Sequence, residues 1–163
     1  MEDKILDNLS EEAPQLVPAS RAKRFFAFLI DILPLTLLAG VFYHYTFGFD
    51  TLFDYLENRG DIGVRAAFIK DRNRVRFFAF GLYVLYALVT EGSAWHGTFG
   101  KRLLGIRVVD EYGEPLDRQR AASRNLGKIL SYLPLSLGFI WILFDKKRQG
   151  WHDKVARTLV VEK

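Results

Sequence analysis

The 163-residue sequence predicts a mainly α-helical integral membrane fold. Two transmembrane helices, a third apolar element expected to re-enter the bilayer, and a small cytoplasmic β element make it up. Three observations lead there. Half of the residues are hydrophobic, yet they come in long blocks with the charges gathered between them. The block at residues 25–49 holds only Asp31 and His44 as titratable side chains apart from tyrosines. At about 1.5 Å of rise per residue it is long enough for a hydrocarbon core of about 30 Å. The block at residues 77–95 carries one charge, Glu91, and is about as long as that core is thick.

The elements follow in order. Residues 1–20 are polar and acidic, with Pro14 and Pro18, and read as a tail; residues 21–163 read as one membrane domain. Ser20 is placed to cap a helix that starts at Arg21. The basic flank followed by grease has the order of a signal peptide, but the apolar run exceeds a signal core of about 7–15 residues and no A-x-A-like site follows it. A retained anchor is the expectation. Pro34 is expected to kink the first span, which a helix in a bundle tolerates. Residues 50–76 place Ile62, Ala66 and Ile69 at helical spacing and end in basic residues, which predicts an amphipathic segment lying along the interface. Tyr, Trp and His near the end of the second block suit the headgroup region.

The stretch HGTFGKRLLGIRVVDEYGEPLDRQRAASRN is polar and is expected in water. Ile106, Val108 and Val109 read as a strand and EYGEP as a turn. Residues 129–144 are apolar but few, about 24 Å as helix, and include Pro134 and Gly138. A hairpin broken near Pro134 or two short helices explains them. The basic tail ends in TLVV, a strand expected to pair with GIRVVD.

Charge sets the sidedness. Arg21, Lys23 and Arg24 press against the first block without an acid beside them, so the positive-inside rule puts the N-terminus in the cytoplasm of a cell-membrane protein. Lys70, Arg72, Arg74 and Arg76 then face outward, against the rule. The net charge of +4 gathers at the flanks of apolar blocks, and no nucleic-acid motif accompanies it. The expected partners are membrane lipid with anionic headgroups, further copies of the chain and an unidentified membrane protein, and not nucleic acid.

Chemistry is sparse. With no cysteine, thiolate metal sites and cysteine nucleophiles are excluded. His44, His96 and His152 show no metal-ligand spacing, the GKR after Thr98 lacks the spacing of a phosphate loop, and no G-x-S-x-G is present. No enzyme, no cofactor and no metal is expected. Asp31 and Glu91 are the candidates for an ion site. A carboxylate near mid-membrane costs about 2.5–3.5 kcal/mol on insertion scales. Asp31 lies about 9 Å and Glu91 about 6 Å from the same boundary, so two acids arrive at similar depth. Held close, they would share a proton or a metal ion. The competing reading pairs each with a base: Arg24, two turns before Asp31 on the same face, or Arg102, Arg124 or Lys128. His152 beside Asp153 is either a proton shuttle or a hydrogen-bond staple.

Three stretches carry a resemblance. KRFFAFLID, GTFGKRLLGIRVVDEYGEPLDRQRAASRN and FDKKRQGWHDKVARTLVV together resemble the RDD family of small integral membrane proteins, in order, over residues 21–161. Arg24 and Asp31 match the first arginine and aspartate of the family's name. Asp153 is the best match for the second aspartate, with Asp145 the alternative. Phe99 stands where the family often has proline, a departure that touches loop shape. The resemblance implies an integral membrane protein, for which transport is the usual suggestion. Two functions follow. One is a transporter-like oligomer that handles a cation or proton through Asp31 and Glu91, with Arg24 tuning the site and Asp153 locking the closing loop. The other is a non-transporting adaptor or assembly factor with a basic cytoplasmic face.

Overall fold

The computed structural model describes residues 16–132 and 136–163. Two long helices dominate it. Helix α1, Arg21–Phe47, opens as expected: the Ser20 side chain accepts a hydrogen bond from the Lys23 amide at 3.2 Å. It runs unbroken through Pro34 and ends at Gly48, whose φ of 66° closes the last turn. A short helix α2, Thr51–Glu57, precedes α3, Ile62–Glu91. Asp61 caps α3 by accepting from the Val64 amide. Residues 62–76 are thus not a separate interfacial segment. They are the first half of α3, because no proline or unsupported glycine interrupts the helical register before the apolar block begins.

Among the described residues α1 is the single helix that is long and apolar enough by itself to cross a membrane. The second expected span is the later half of α3. Its uncharged run between Arg76 and Glu91 is about 14 residues, or about 21 Å of helix, short of a 30 Å core.

The third apolar element is corrected in its boundaries. Helix α5, Arg118–Tyr132, begins well before the apolar block, so Arg124 and Asn125, at the end of the stretch expected in water, are helical and buried, as is Lys128. After residues 133–135 come α6, Leu137–Ile140, and a 3₁₀ turn, Trp141–Leu143. The pair is set at 113° to α5, the geometry of a broken span or a re-entrant hairpin. The expected break at Pro134 lies outside the described residues.

Between α3 and α5 sit a short helix α4, Phe99–Leu103, and strand β1, Ile106–Asp110. Helix α7, Trp151–Val155, leads into β2, Thr158–Glu162. The expected strand pairing is present and antiparallel, with Val108 opposite Val160. Pro18 bridges to Val161 on β2. The turn after β1 is held by Asp110, whose Oδ1 accepts from the amides of Tyr112 and Glu114 at 2.9 Å each. Ile106, Val108 and Val160 pack with Ala19, Ala27, Leu116 and Ala121, which seats the sheet against the start of α1 and the first turn of α5.

The polarity of this arrangement is inverted. On α5 the buried residues are Ala121, Arg124, Asn125, Lys128 and Ser131, a polar stripe at helical spacing, while Leu126, Ile129 and Leu130 are exposed. Leu33, Leu37, Leu38 and Val41 are exposed on α1 while Asp31 is buried. Only 17 % of the most apolar window of α1 is buried. An apolar belt of this extent is not left in water by a monomeric soluble protein.

Candidate functional site: a buried charge lock

The site is where the ends of α1 and α3 meet α4, α5 and α7. Glu91, the last residue of α3, is fully buried. Lys101 of α4 donates to its Oε1, and Lys128 of α5 lies 3.5 Å from the same oxygen. Its Oε2 accepts from Arg124 and, at 2.9 Å, from Asn125. Lys128 also donates to Asn125 Oδ1 at 2.6 Å and stands over the Tyr83 ring. Arg124 is the hinge of the network. While Nη1 holds Glu91, its Nε and Nη2 donate to Asp153 Oδ1 at 3.0 and 2.7 Å. Asp153 Oδ2 accepts from Arg24 Nη2 at 2.5 Å and from the Gly150 amide at 2.9 Å, which also caps α7. Arg24 reaches the Arg148 carbonyl as well. A continuous chain of charge therefore runs from α1 through α7 and α5 to α3 and α4.

Asp31 stands beside this chain and outside it. Its Oδ1 accepts from the Gly100 amide at 2.8 Å and lies 3.5 Å from the Tyr86 hydroxyl, which itself accepts from the Phe99 amide. Asp31 Oδ2 is buried without a hydrogen-bond partner among the described residues. Consecutive residues of α4 thus serve the two carboxylates, Gly100 for Asp31 and Lys101 for Glu91.

These contacts pair the candidate residues as follows. The two acids do not share a proton or ion through a common contact: Glu91 is saturated by three cations and an amide. Arg24 does not turn back to Asp31 but crosses to Asp153, because a helix one turn after Gly150 presents that carboxylate at hydrogen-bonding distance. Asp145 is engaged elsewhere, by Lys154, which leaves Asp153 as the acid of the cluster. Arg102 lies outside it, exposed, with its guanidinium over the Trp95 ring at 4.6 Å. His152 is buried with Nδ1 3.2 Å from Ser131 Oγ and its ring against Phe139, the staple of the two readings. Asn125, Tyr83 and Tyr86 join the site without a motif of their own in the sequence. The signal that would have found Asn125 is the Arg124–Asn125–Lys128–Ser131 stripe, whose polar residues at i, i+1, i+4 and i+7 share one face of α5. Among the described residues no group of His, Asp and Glu is arranged to hold a metal ion.

Burial would push the Asp153 carboxyl up, but Arg24, with Arg124, holds it well below the usual carboxylate range. Burial pushes the Lys101 ammonium down, against Glu91, which raises it. His152 is pushed down to about 3 by burial, with Arg124 and Lys128 acting in the same sense against Asp153. That shift has a consequence for stability. The unfolded chain takes up a proton at this imidazole below about pH 6.5 and the folded chain does not. Stability from this group is therefore complete above pH 6.5 and is lost as pH falls toward 3. Thermal unfolding of detergent-solubilised protein is expected to show a loss of about 2 kcal/mol between pH 7 and pH 5, and His152→Asn is expected to flatten that slope.

The RDD family model matches residues 18–157. A protein of Bacillus subtilis (strain 168), called uncharacterized protein YxaI, is 40% identical over 80 residues, covering 49% of this chain and 52% of that protein. The chain thus spans about half the length of the curated relative it matches. No solved structure matches. Arg24, Asp31, Glu91 and Asp153 all lie within the matched segment. The match and the exposed apolar helix point to a membrane location.

Proposed function

The chain belongs to the RDD family, and from that premise we propose that it is an integral membrane protein of the cell membrane that binds and docks rather than carries cations or catalyses a reaction. Its N-terminus is cytoplasmic, α1 and the later half of α3 cross the bilayer, and α5 with α6 re-enters from the cytoplasmic side. The β-pair and α7 form a basic cap on that side. The arginine and the second aspartate of the family motif, Arg24 and Asp153, fasten the cap to α1.

One observation carries this reading: Glu91 has no free coordination. Both of its oxygens are taken by Lys101, Arg124, Lys128 and Asn125. A cation arriving there would have to displace at least one buried base, leaving two like charges in a low-dielectric site. Arg24 and Arg124 hold Asp153 in the same way. The cluster ties these elements together with paired charges, which suits an adaptor or assembly factor that presents a basic face to anionic headgroups or a partner.

The expected result of reconstitution is that proteoliposomes of the purified chain show no sodium, potassium or proton flux above protein-free vesicles. Flux that disappears in both Asp31→Asn and Glu91→Gln would overturn the reading. The second reading, a transporter-like oligomer, draws on Asp31 Oδ2, the buried oxygen without a partner. A proton or cation bound there would satisfy it. Two spans cannot enclose a pathway, so that reading requires several copies of the chain, and the same flux measurement separates the two.

A further inference from the structure

A cavity of about 540 Å³ lies between α1, α3, α5 and the α6 turn. That is the size of a small-molecule site, typically about 300–1,000 Å³. Six cations line it: Arg21, Arg24, Arg76, Lys101, Arg124 and Lys128. No carboxylate does so among the described residues. Arg24, Lys101, Arg124 and Lys128 share two acids, Glu91 and Asp153. The other two cations have neutral partners: Arg21 donates to the Ile142 carbonyl at 3.2 Å, and Arg76 lies 3.4 Å from the Tyr132 hydroxyl. Positive charge therefore exceeds negative charge around a half-open space: Arg21 and Arg76 are exposed at its rim, while Lys101, Arg124 and Lys128 are buried and share their two acids with Arg24, and a buried ion left short of a partner costs several kcal/mol. An anion seated among these groups would repay that.

The rest of the wall narrows the class of anion. Phe28, Phe80 and Phe139 are among its aromatic residues. Phe25, Ile140 and Leu143 also line it and are exposed on the outer surface, at 57%, 44% and 56%. The cavity thus opens through a mouth that is apolar at these three residues and basic at the exposed Arg21 and Arg76. A small inorganic anion would satisfy the cations and leave the aromatic wall and the apolar part of the mouth without a partner. An amphiphile satisfies both. The geometry points to a binding site for one anionic phospholipid, its phosphate among the cavity's cations and an acyl chain leaving past Phe25, Ile140 and Leu143. The site rests on the membrane placement proposed above. It goes beyond a general attraction to headgroups, because it is stoichiometric and lies between helices.

The test uses the full chain purified in a non-ionic detergent, with phosphatidylglycerol, phosphatidylcholine and inorganic phosphate as probes. Native mass spectrometry is expected to show one phosphatidylglycerol retained per chain, with a raised melting temperature, and no retained phosphatidylcholine. Arg21→Gln and Arg76→Gln lie outside the buried lock and so leave it intact. Each is expected to weaken phosphatidylglycerol retention at least ten-fold, as loss of a charge-assisted hydrogen bond does. Equal retention of both lipids, unchanged binding in both variants, or equal stabilisation by inorganic phosphate alone would each overturn the site. The need for detergent is scored separately. A chain that stays monodisperse without it overturns the membrane placement, whereas one that needs detergent but holds both lipids alike overturns only the lipid site.

Discussion

Arg124→Leu is expected to destabilise the fold by about 3–5 kcal/mol, the effect of removing one partner from a buried ion network. Arg124 is 1% exposed and holds two carboxylates that are fully buried, Glu91 and Asp153. Leucine fills much of the volume but leaves both acids short of their shared donor. Asp153 keeps Arg24, and Glu91 keeps Lys101, so the loss is partial at each end and additive across the two. Arg124→Lys keeps the charge and is expected to recover less than half of the loss, since a single ammonium cannot reach both acids with three N–H groups in a fixed fork. Unfolding in detergent, followed by temperature or denaturant, measures both variants. Stability within 1 kcal/mol of the parent in Arg124→Leu would show that the lock does not hold the elements together.

Gly100→Ala is expected to have the second large effect. A Cβ at this position would lie 2.2 Å from the carbonyl oxygen of Ala27 and 3.1 Å from Asp31 Oδ2. The first is backbone in the interior of α1 and cannot swing away. Helix α4 must then lift off α1, which breaks the Gly100 amide contact to Asp31 and draws Lys101 away from Glu91. Overpacking alone costs about 1–3 kcal/mol, and unpairing a buried carboxylate adds more, so a total above about 3 kcal/mol is expected. The yield of monodisperse protein and its melting temperature give the readout. Gly81→Ala is the control: nothing lies within 4 Å of its Cβ position, and in the interior of α3 alanine is favoured by about 0.5–1 kcal/mol. Loss of folded protein in Gly81→Ala but not in Gly100→Ala would invert the argument.

Much of the fold was legible because local chemistry writes it. The Ser20 cap, the apolar run of α1, the turn at Asp110 and the strand character of IRVVD and TLVV follow from residue type and spacing over short distances, and the pairing of those two strands was expected because each offers the other an edge. The bounds of α3 and α5 were not. Both helices run across the change from charged to apolar residues, since helical hydrogen bonding continues wherever no breaker intervenes, whatever surrounds the side chains. Dividing the chain by hydropathy therefore cut each helix in two.

The candidate residues were legible as a set and not as pairs. Arg24, Asp31, Glu91, Arg124, His152 and Asp153 are conspicuous because charge inside or beside apolar sequence is expensive. By itself the sequence determined that these groups must be compensated, and that long apolar faces need a cover other than water. Which base answers which acid was decided by the tertiary structure alone. Arg24 has an acid two turns away on its own helix, yet it bonds one that is 129 residues distant. The reason is physical: in a low-dielectric interior the pairing follows three-dimensional distance and donor direction, and both are set by how α4, α5 and α7 dock on the ends of α1 and α3.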